Sequence, residues 1–350
     1  MLASVKHILP LTNIRRERLL PIPGKVVVRK GQKVNATDTV AEADLKPVHL
    51  LVEVARGLGM PPEKVDALLQ CKPGTQLAEG DIIAGPVGFP RRVVRAPREG
   101  RVVLAGSGQV LLEVQDKPFE LKAGLSGTVQ DLIPERGVVI ETTGALIQGV
   151  WGNGGIDFGL LTVLSKGEDD VLTADRLDVS MRGSIVLAGH VADVDVLRTA
   201  AEMPLRGMIL SSMEVPLRLM AFRMSLPVIL LEGFGFHPMN PVAFRLLSTQ
   251  GRREVALNAE PWDRFAGTRP EVVITLPSSG ELVLPQDADV FSTGKQVRVV
   301  SAPYLGKTGT IQSLPGVSVL PSGVRAPAAE IRMEDGVTVV LPLTNLEILE

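Results

Sequence analysis

The pattern that most restricts the fold lies near the C-terminus, where residues 294–311 read as a strand, a tight turn and a second strand. Apolar residues alternate with polar ones through Val297 and Val299, and the alternation resumes after Gly309. Between the two runs lies Pro303-Tyr304-Leu305-Gly306, a turn sequence in which glycine permits positive φ. We therefore predict two antiparallel strands whose connection uses Pro303, Tyr304, Gly306 and Gly309.

This segment resembles the KOW motif of SH3-like barrels in transcription-elongation factors and ribosomal proteins. The resemblance implies a small barrel over 291–350, with 337–341 as a closing strand. It leaves the partner open, because such barrels bind either RNA or proteins, and Tyr304 is the aromatic placed to stack. Five Lys/Arg and five acidic residues in this region are a poor balance for neutralising phosphates. Protein binding is therefore at least as well supported as RNA binding.

Composition favours a chain of several domains built from short strands. The 350 residues exceed what one ordinary core holds, and the hydrophobic fraction of 45% favours a globular chain over a disordered one. Thirty-five glycines and 26 prolines fit strands joined by tight turns. The net charge of −2 indicates that the chain as a whole is not built to hold a polyanion.

The N-terminal part contains an internal repeat, since 31–41 and 74–84 carry Gly, apolar, Asp, apolar and Ala residues at the same offsets. Each copy reads as turn, strand, turn and strand. Together with 94–103 the pattern resembles the barrel-sandwich hybrid of biotinyl and lipoyl domains. We expect such a β domain over 1–150, with a helical insert at 47–72. Lys46 could correspond to a carrier lysine, but Pro47 and a helical pattern follow it, which favours an ordinary surface lysine.

Residues 151–276 alternate between short apolar strands and helices, which predicts a parallel α/β domain, followed by a linker at 277–290. In such sheets ligands bind beyond the carboxyl ends of the strands. The polar residues expected there form a candidate ligand crevice: His190, Ser211, Ser212, Glu232, His237 and Asn258. The alternative is structural, because strand-end loops usually carry polar residues and caps. No nucleophile-elbow glycine pattern surrounds Ser211, which argues against a serine hydrolase.

A second candidate site is a run of arginines around Glu99, made of Arg91, Arg92, Arg95, Arg98 and Arg101. Such a run is most often a solvated surface. The alternative is a patch that binds nucleic acid or another anion.

Several classes of site lack support in the sequence. Cys71 is the single cysteine, so neither an internal disulfide nor a thiolate metal site is expected. The four histidines are widely scattered, and we expect no metal and no cofactor. The longest apolar run is too short to span a bilayer, and we expect a cytoplasmic protein without a membrane segment.

Taken together, the sequence predicts a multidomain chain with an N-terminal barrel-sandwich hybrid, a central α/β domain and a C-terminal SH3-like barrel. We expect a non-enzymatic adaptor that engages a larger protein assembly. The alternatives are a nucleic-acid-binding factor of transcription or translation, and a small-molecule-binding or catalytic α/β domain.

Overall fold

The computed structural model describes residues 2–45, 47–114, 118–263, 268–278 and 282–350. The chain is mostly β, with 48% strand and 14% helix arranged in several sheets. It divides into two compact units. The first unit contains Met1–Leu19, Val26–Ala41 and Leu121–Glu350, and the second contains Leu20–Lys25 and Glu42–Glu120. The domain boundaries expected from the sequence stay predictions.

The elements are numbered in chain order. The first part of the chain contains β1 (Leu2–Lys6), β2 (Ile8–Leu19), β3 (Lys25–Val26), β4 (Lys33–Val34), β5 (Thr39–Ala43) and β6 (Val48–Val52). Next come α1 (Val54–Leu58), α2 (Pro62–Val65), β7 (Gln76–Leu77), β8 (Ile82–Val87), β9 (Arg92–Arg95), β10 (Gly100–Gly106), β11 (Gln109–Val114) and β12 (Phe119–Lys122).

The middle of the chain contains β13 (Gly127–Ile133), β14 (Gly137–Gln148), β15 (Trp151–Gly152), β16 (Ile156–Val163), β17 (Ser184–Ala188), α3 (Val194–Glu202), β18 (Gly207–Met213), α4 (Arg218–Arg223), β19 (Val228–Phe234), α5 (Pro241–Thr249), β20 (Glu254–Asn258) and β21 (Glu271–Thr275). The C-terminal part contains β22 (Ala288–Val290), β23 (Gln296–Val299), β24 (Thr308–Val319), β25 (Arg325–Met333), β26 (Thr338–Pro342) and β27 (Leu346–Leu349). Short 3-10 turns lie at Asp66–Leu68, Ala174–Arg176, Val179–Met181, Val215–Leu217 and Leu343–Asn345.

The largest sheet of the first unit has the strand order β15-β19-β18-β17-β16-β20-β21-β14-β13-β4, and β2 pairs with β14. Strands β16 to β19 pair in parallel, whereas β20, β21, β14 and β13 pair antiparallel. The predicted strands and helices of 184–275 are present. The parallel strands nevertheless continue into a mixed sheet, and the structure does not set off a separate α/β domain.

The parallel strands are apolar throughout because both of their faces are covered. One face packs in a core that includes Val186, Leu210 and Leu230, and the other packs in a core that includes Ile185 and Ile229. Buried parallel strands read as continuous apolar runs for this reason. Two of the covering helices begin with capping side chains, Asp193 before α3 and Asn240 before α5.

The C-terminal sheet of the first unit has the order β22-β1-β27-β23-β24-β25-β26. The predicted strand, turn and strand of 294–311 correspond to β23 and β24, which pair antiparallel. The N-terminal strand β1 pairs in parallel with β27, a long-range contact that the local sequence did not indicate. Val5, Val297, Ile331 and Ile348 belong to the core of this sheet.

The second unit contains the sheet β6-β11-β10-β7 and the hairpin of β8 and β9. We expected a helix from Val48 onward, and this expectation is wrong for 48–52. These residues form β6, which pairs with β11 from Val110↔Val52 to Val114↔Val48. The valine and leucine side chains of this segment suit a strand, and β11 offers an edge with which that strand can pair. Helix α1 begins only at Val54. Lys46 lies outside the described residues, as do parts of the predicted linker (279–281).

The two copies of the internal repeat fold alike at the level of single hydrogen bonds. In the first copy Gly31 N–H donates to Val129 O (2.7 Å) and Val129 N–H donates to Gln32 O (2.9 Å). In the second copy Gly74 and Val102 make the corresponding bonds, at 2.7 and 2.9 Å. Both copies also close their second turn with an aspartate that accepts a main-chain N–H three residues earlier, at 2.8 Å in each case. The sequence repeat is therefore a structural repeat.

None of the helices in the described part of the chain combines the length and the apolarity that crossing a bilayer requires.

Candidate functional site

The loops that follow β17, β18 and β19 bring three of the predicted crevice residues together. His190 Nδ1 lies 2.9 Å from Ser212 Oγ. The same hydroxyl accepts a hydrogen bond from the main-chain N–H of His237 (3.0 Å) and lies 2.9 Å from the His237 carbonyl oxygen. Ser212 therefore anchors the loop 235–237 to the end of β18. Ser211 lies beside this group, with its Oγ 3.5 Å from Ser212 Oγ.

The His190 and Ser212 side chains of this group are closed to solvent. Ser212 and Ser211 are buried and His190 is 3% exposed, with the Phe236 ring edge-on to its imidazole. Burial lowers the pKa of His190, Glu214 opposes this shift, and the neighbouring His237 adds to it. The surroundings of His190 thus disfavour its charged form. An arrangement of buried, mutually bonded groups stabilises a loop and offers no accessible nucleophile.

Glu232 belongs to a different group, which we name the buried ion cluster: Lys6, Glu232, Arg269, Arg298 and Glu347. Its side chains are each less than 5% exposed. Glu232 pairs with Lys6 Nζ (3.3 Å) and with Arg298 Nε (3.0 Å). Glu347 pairs with Arg298 Nη1 (3.1 Å) and with Arg269 Nη2 (3.0 Å). The Glu232 carboxylate is therefore already matched by cations of the first unit.

The pKa shifts in this cluster follow from burial and charge. Burial lowers the pKa of the Lys6 ammonium, with Arg298 acting in the same direction, although Glu232 and Glu347 oppose the shift. Burial by itself raises the pKa of Glu347, but the charges of Arg269, Arg298 and Lys6 outweigh it and hold that pKa below its ordinary value. Glu347 therefore stays ionised, as a structural counter-ion.

Asn258 does not join the other crevice candidates. Its side chain bonds both the Glu260 carboxylate (3.2 Å) and the Glu260 main-chain N–H (3.0 Å). Glu260 in turn pairs with Arg18. Burial by itself raises the pKa of Glu260, but hydrogen bonds from Arg18 and Asn258 and the Arg18 charge hold it below its ordinary value.

A cavity of about 440 Å³ joins parts of two predicted sites within the first unit. Its lining includes Glu232 and His237 from the crevice and Gly306 from the KOW-like turn. Gly306 has φ +83°, and a Cβ atom there would lie 3.1 Å from His237 Nδ1, so this glycine permits the close approach. Four further lining residues were not predicted from the sequence: Lys307 and Thr308, which follow Gly306, and Glu334 and Asp335, which follow β25. They are distant from the crevice residues in the sequence and approach them only in the folded chain.

The polar side chains of this cavity largely satisfy one another. Lys307 pairs with Asp335 at 3.1 Å, and Thr308 Oγ1 donates to Glu334. Of the other residues of the KOW-like turn, Pro303 is exposed, Tyr304 packs against the core of the C-terminal sheet, and Gly309 lies in β24 against Ile331. Among the described residues, no group of three or more His, Cys, Asp and Glu is arranged to hold a metal ion.

The arginine run lies in the second unit, on and after the β8–β9 hairpin. All five arginines are exposed, but three of them have partners. Arg95 donates to Gly80 O at 2.8 Å, Arg101 pairs with Glu113 at 3.1 Å, and Arg98 also makes a polar contact. Arg91 and Arg92 make no ion pair with any described residue.

These two arginines stand at the tip of the hairpin beside Phe89, a residue that sequence reasoning missed. Its side chain is fully exposed, which is unusual for phenylalanine. We name Phe89, Arg91 and Arg92 the hairpin tip. Its only sequence signal was Gly88-Phe89-Pro90, an aromatic residue inside a turn sequence.

No known protein-family model matches the chain, and no curated protein matches it with significant similarity.

Proposed function

We propose that this chain is a non-enzymatic binding protein that engages an acidic protein partner through the hairpin tip. The observation that carries the proposal is the complete exposure of Phe89 in the β8–β9 turn. Beside it lie two exposed arginines that make no ion pair with any residue that the structure describes. Aromatic residues and arginines dominate the binding energy of protein interfaces. The guanidinium groups of Arg91 and Arg92 can pair with carboxylates, and the Phe89 ring can pack against an apolar side chain. The hairpin tip therefore suits a partner segment that carries both.

The charge distribution favours a protein partner over nucleic acid. Three of the five arginines in the run are engaged within the second unit or make other polar contacts, which leaves two for an outside ligand. A nucleic-acid backbone is usually held by a stripe of several cations, and the net charge of the chain is −2. A short acidic segment of a protein can be held by only two arginines.

Two features support the fold part of the proposal. The identical hydrogen bonds of the two repeat copies are compatible with a barrel-sandwich hybrid, and the β23–β24 pair is compatible with a KOW-like SH3 barrel. We propose these two modules, flanking a central α/β region, as the scaffold of an adaptor. The proposal places the protein in the cytoplasm, where one unpaired cysteine is ordinary.

The small-molecule alternative has less support at the predicted crevice. Ser212 and Glu232 are bonded to other parts of the first unit, and Lys307 and Thr308 of the neighbouring cavity pair with its own acids. A ligand would have to break these pairs before it could use the groups.

The test is capture of a partner by the tagged full-length chain from a native extract, quantified by mass spectrometry. We expect Phe89→Ser, and separately the double variant Arg91→Glu/Arg92→Glu, to reduce capture of an acidic protein about tenfold, because each removes part of a small anchor. Phe222→Ser is the matched control, since Phe222 is 60% exposed and is also followed by an arginine, but lies on α4 of the first unit.

Capture should survive nuclease treatment. If RNA or DNA is retained instead, with affinity that falls steeply with salt, the nucleic-acid alternative replaces the proposal. Capture that is unchanged in both tip variants also contradicts it.

A further inference from the structure

The large sheet of the first unit forks at β14. One edge of β14 pairs with β2 along most of its length, from Gly137↔Leu19 to Ile147↔Ile8. The other edge is shared by two strands: β13 pairs as far as Thr128↔Glu141, and β21 begins at Gly144↔Thr275. Thr142 and Thr143 therefore lie where β13 and β21 diverge. We name this place the fork.

A cavity of about 500 Å³ lies at the fork, within the size range of small-molecule sites. Its lining is unusual in composition. Eight of the twelve lining residues are uncharged and carry a hydroxyl or an amide: Asn13, Asn35, Ser126, Thr128, Gln130, Thr142, Thr143 and Thr275. Lys33 and Glu141 are the two charged residues, of opposite sign, so the lining is neutral overall.

Two of these groups keep unused hydrogen-bonding capacity. Thr142 is 9% exposed, and its hydroxyl has no hydrogen-bond partner among the described residues. The Oδ1 atom of Asn13 is buried and likewise without a partner there, although Asn13 Nδ2 donates to Glu141. Buried polar groups are normally satisfied, and leaving one unsatisfied costs free energy. The Thr143 hydroxyl is already engaged, because it donates to Leu276 O at 2.9 Å. In the cavity beside the C-terminal sheet, Lys307 and Thr308 likewise have partners.

We infer that the fork binds a neutral, polyhydroxylated small molecule, a free saccharide of one or two rings. A saccharide hydroxyl both donates and accepts, which matches a lining of threonine, serine, asparagine and glutamine side chains. The absence of net charge in the lining disfavours nucleotides and other ligands with a net charge. This inference is independent of the hairpin tip, which lies in the other unit.

The test is saccharide binding by the full-length chain, measured by saturation-transfer NMR and titration calorimetry with glucose, galactose and maltose. We expect at least one saccharide to bind at millimolar concentration or better. Thr142→Val keeps the shape of the side chain but removes its hydroxyl, and should weaken binding about tenfold. Gln130→Leu, at an exposed position that cannot disturb the core, should also weaken it. Thr310→Val is the control, because Thr310 is a half-buried strand threonine of β24, which lies in the C-terminal sheet.

The inference is overturned if none of the three probes binds the wild type at millimolar concentration. It is also overturned if both fork variants bind as tightly as the wild type and Thr310→Val. Unfolding midpoints of the variants separate a lost contact from a lost fold, and the Gln130→Leu result decides if Thr142→Val is unstable.

Discussion

Folding strongly alters the chemistry of His7. Its side chain is fully buried between β1 and β2, with Asp287 Oδ1 3.8 Å from Nε2 and Glu350 Oε2 3.6 Å from Nδ1. Burial lowers the pKa of His7 from 6.5 to about 4, and the charges of Arg16 and Arg269 add to the effect. A main-chain contact at Gln286 and the Glu271 charge act in the opposite direction without cancelling it.

This shift predicts acid sensitivity. Because the pKa is lower in the folded state, the unfolded chain binds the proton first, and stability present above pH 6.5 is lost as the pH falls through about 4. The loss from this one group should be about 3 kcal/mol in the free energy of unfolding. It can be measured by urea unfolding across this pH range, followed by tryptophan fluorescence, since Trp151 and Trp262 both lie in the first unit.

The comparison that isolates His7 uses His7→Gln, which keeps a polar side chain that does not titrate. Its stability should depend less on pH between 6.5 and 4 than that of the wild type. His49→Gln, at a histidine whose side chain is 46% exposed, is the control for the removal of one imidazole. Equal pH dependence in the wild type and His7→Gln would show that His7 is not the titrating group.

For the polar candidate residues, the sequence could predict where in the fold they lie. It could not predict whether their side chains are free to bind a ligand. The strand-end rule placed His190, Ser212 and His237 at the ends of consecutive parallel strands, and in the structure these three residues are in hydrogen-bonding contact. The rule could not indicate that the Ser212 hydroxyl forms hydrogen bonds with the main chain of His237. That outcome depends on how the loop 235–237 folds back, which no local pattern encodes.

At the scale of elements, the buried ion cluster ties together strands that are far apart in sequence. Lys6 belongs to β1, Glu232 to β19, Arg298 to β23 and Glu347 to β27. Buried ion pairs contribute little net stability compared with apolar packing, but removing one partner leaves an uncompensated charge. We therefore expect the cluster to determine which strands pack together, and to contribute little to the free energy of unfolding.

We predict that Glu347→Gln destabilises the first unit by about 3 kcal/mol, because Arg269 and Arg298 then remain buried with one counter-ion fewer. Urea unfolding followed by tryptophan fluorescence measures this loss. Asp131→Asn makes the same chemical change in an exposed pair with Lys30 and should cost less than about 1 kcal/mol. Similar losses in the two variants would contradict a structural role for the cluster.

Most strands and helices could be predicted from local pattern, and their pairing could not. Apolar runs indicated β17, β18 and β19, and capping residues indicated the starts of α3 and α5. The helix prediction for the segment 48–52 was wrong because the spacing of its apolar residues fits a helix face as well as a half-buried strand. The edge of β11 decided the outcome, and that edge is supplied by residues about 60 positions later.

At the scale of the whole molecule, the sequence repeat was the most reliable guide. Both copies make the same main-chain bonds, since glycine and aspartate at fixed offsets specify turns without help from distant residues. The division into units was less accessible, because β1 and β2 join sheets formed by the last two thirds of the chain. The hairpin tip was missed because exposure is a property of the fold.

The most direct test of the binding function places a photo-crosslinking residue, benzoylphenylalanine, at position 89 of the full-length chain in native cells. The proposal predicts one dominant adduct with an acidic protein, lost when Arg91→Glu and Arg92→Glu are added. The same residue at position 222, a phenylalanine site 60% exposed, should not give that adduct. No specific adduct at position 89, or the same adducts from both positions, would contradict the account.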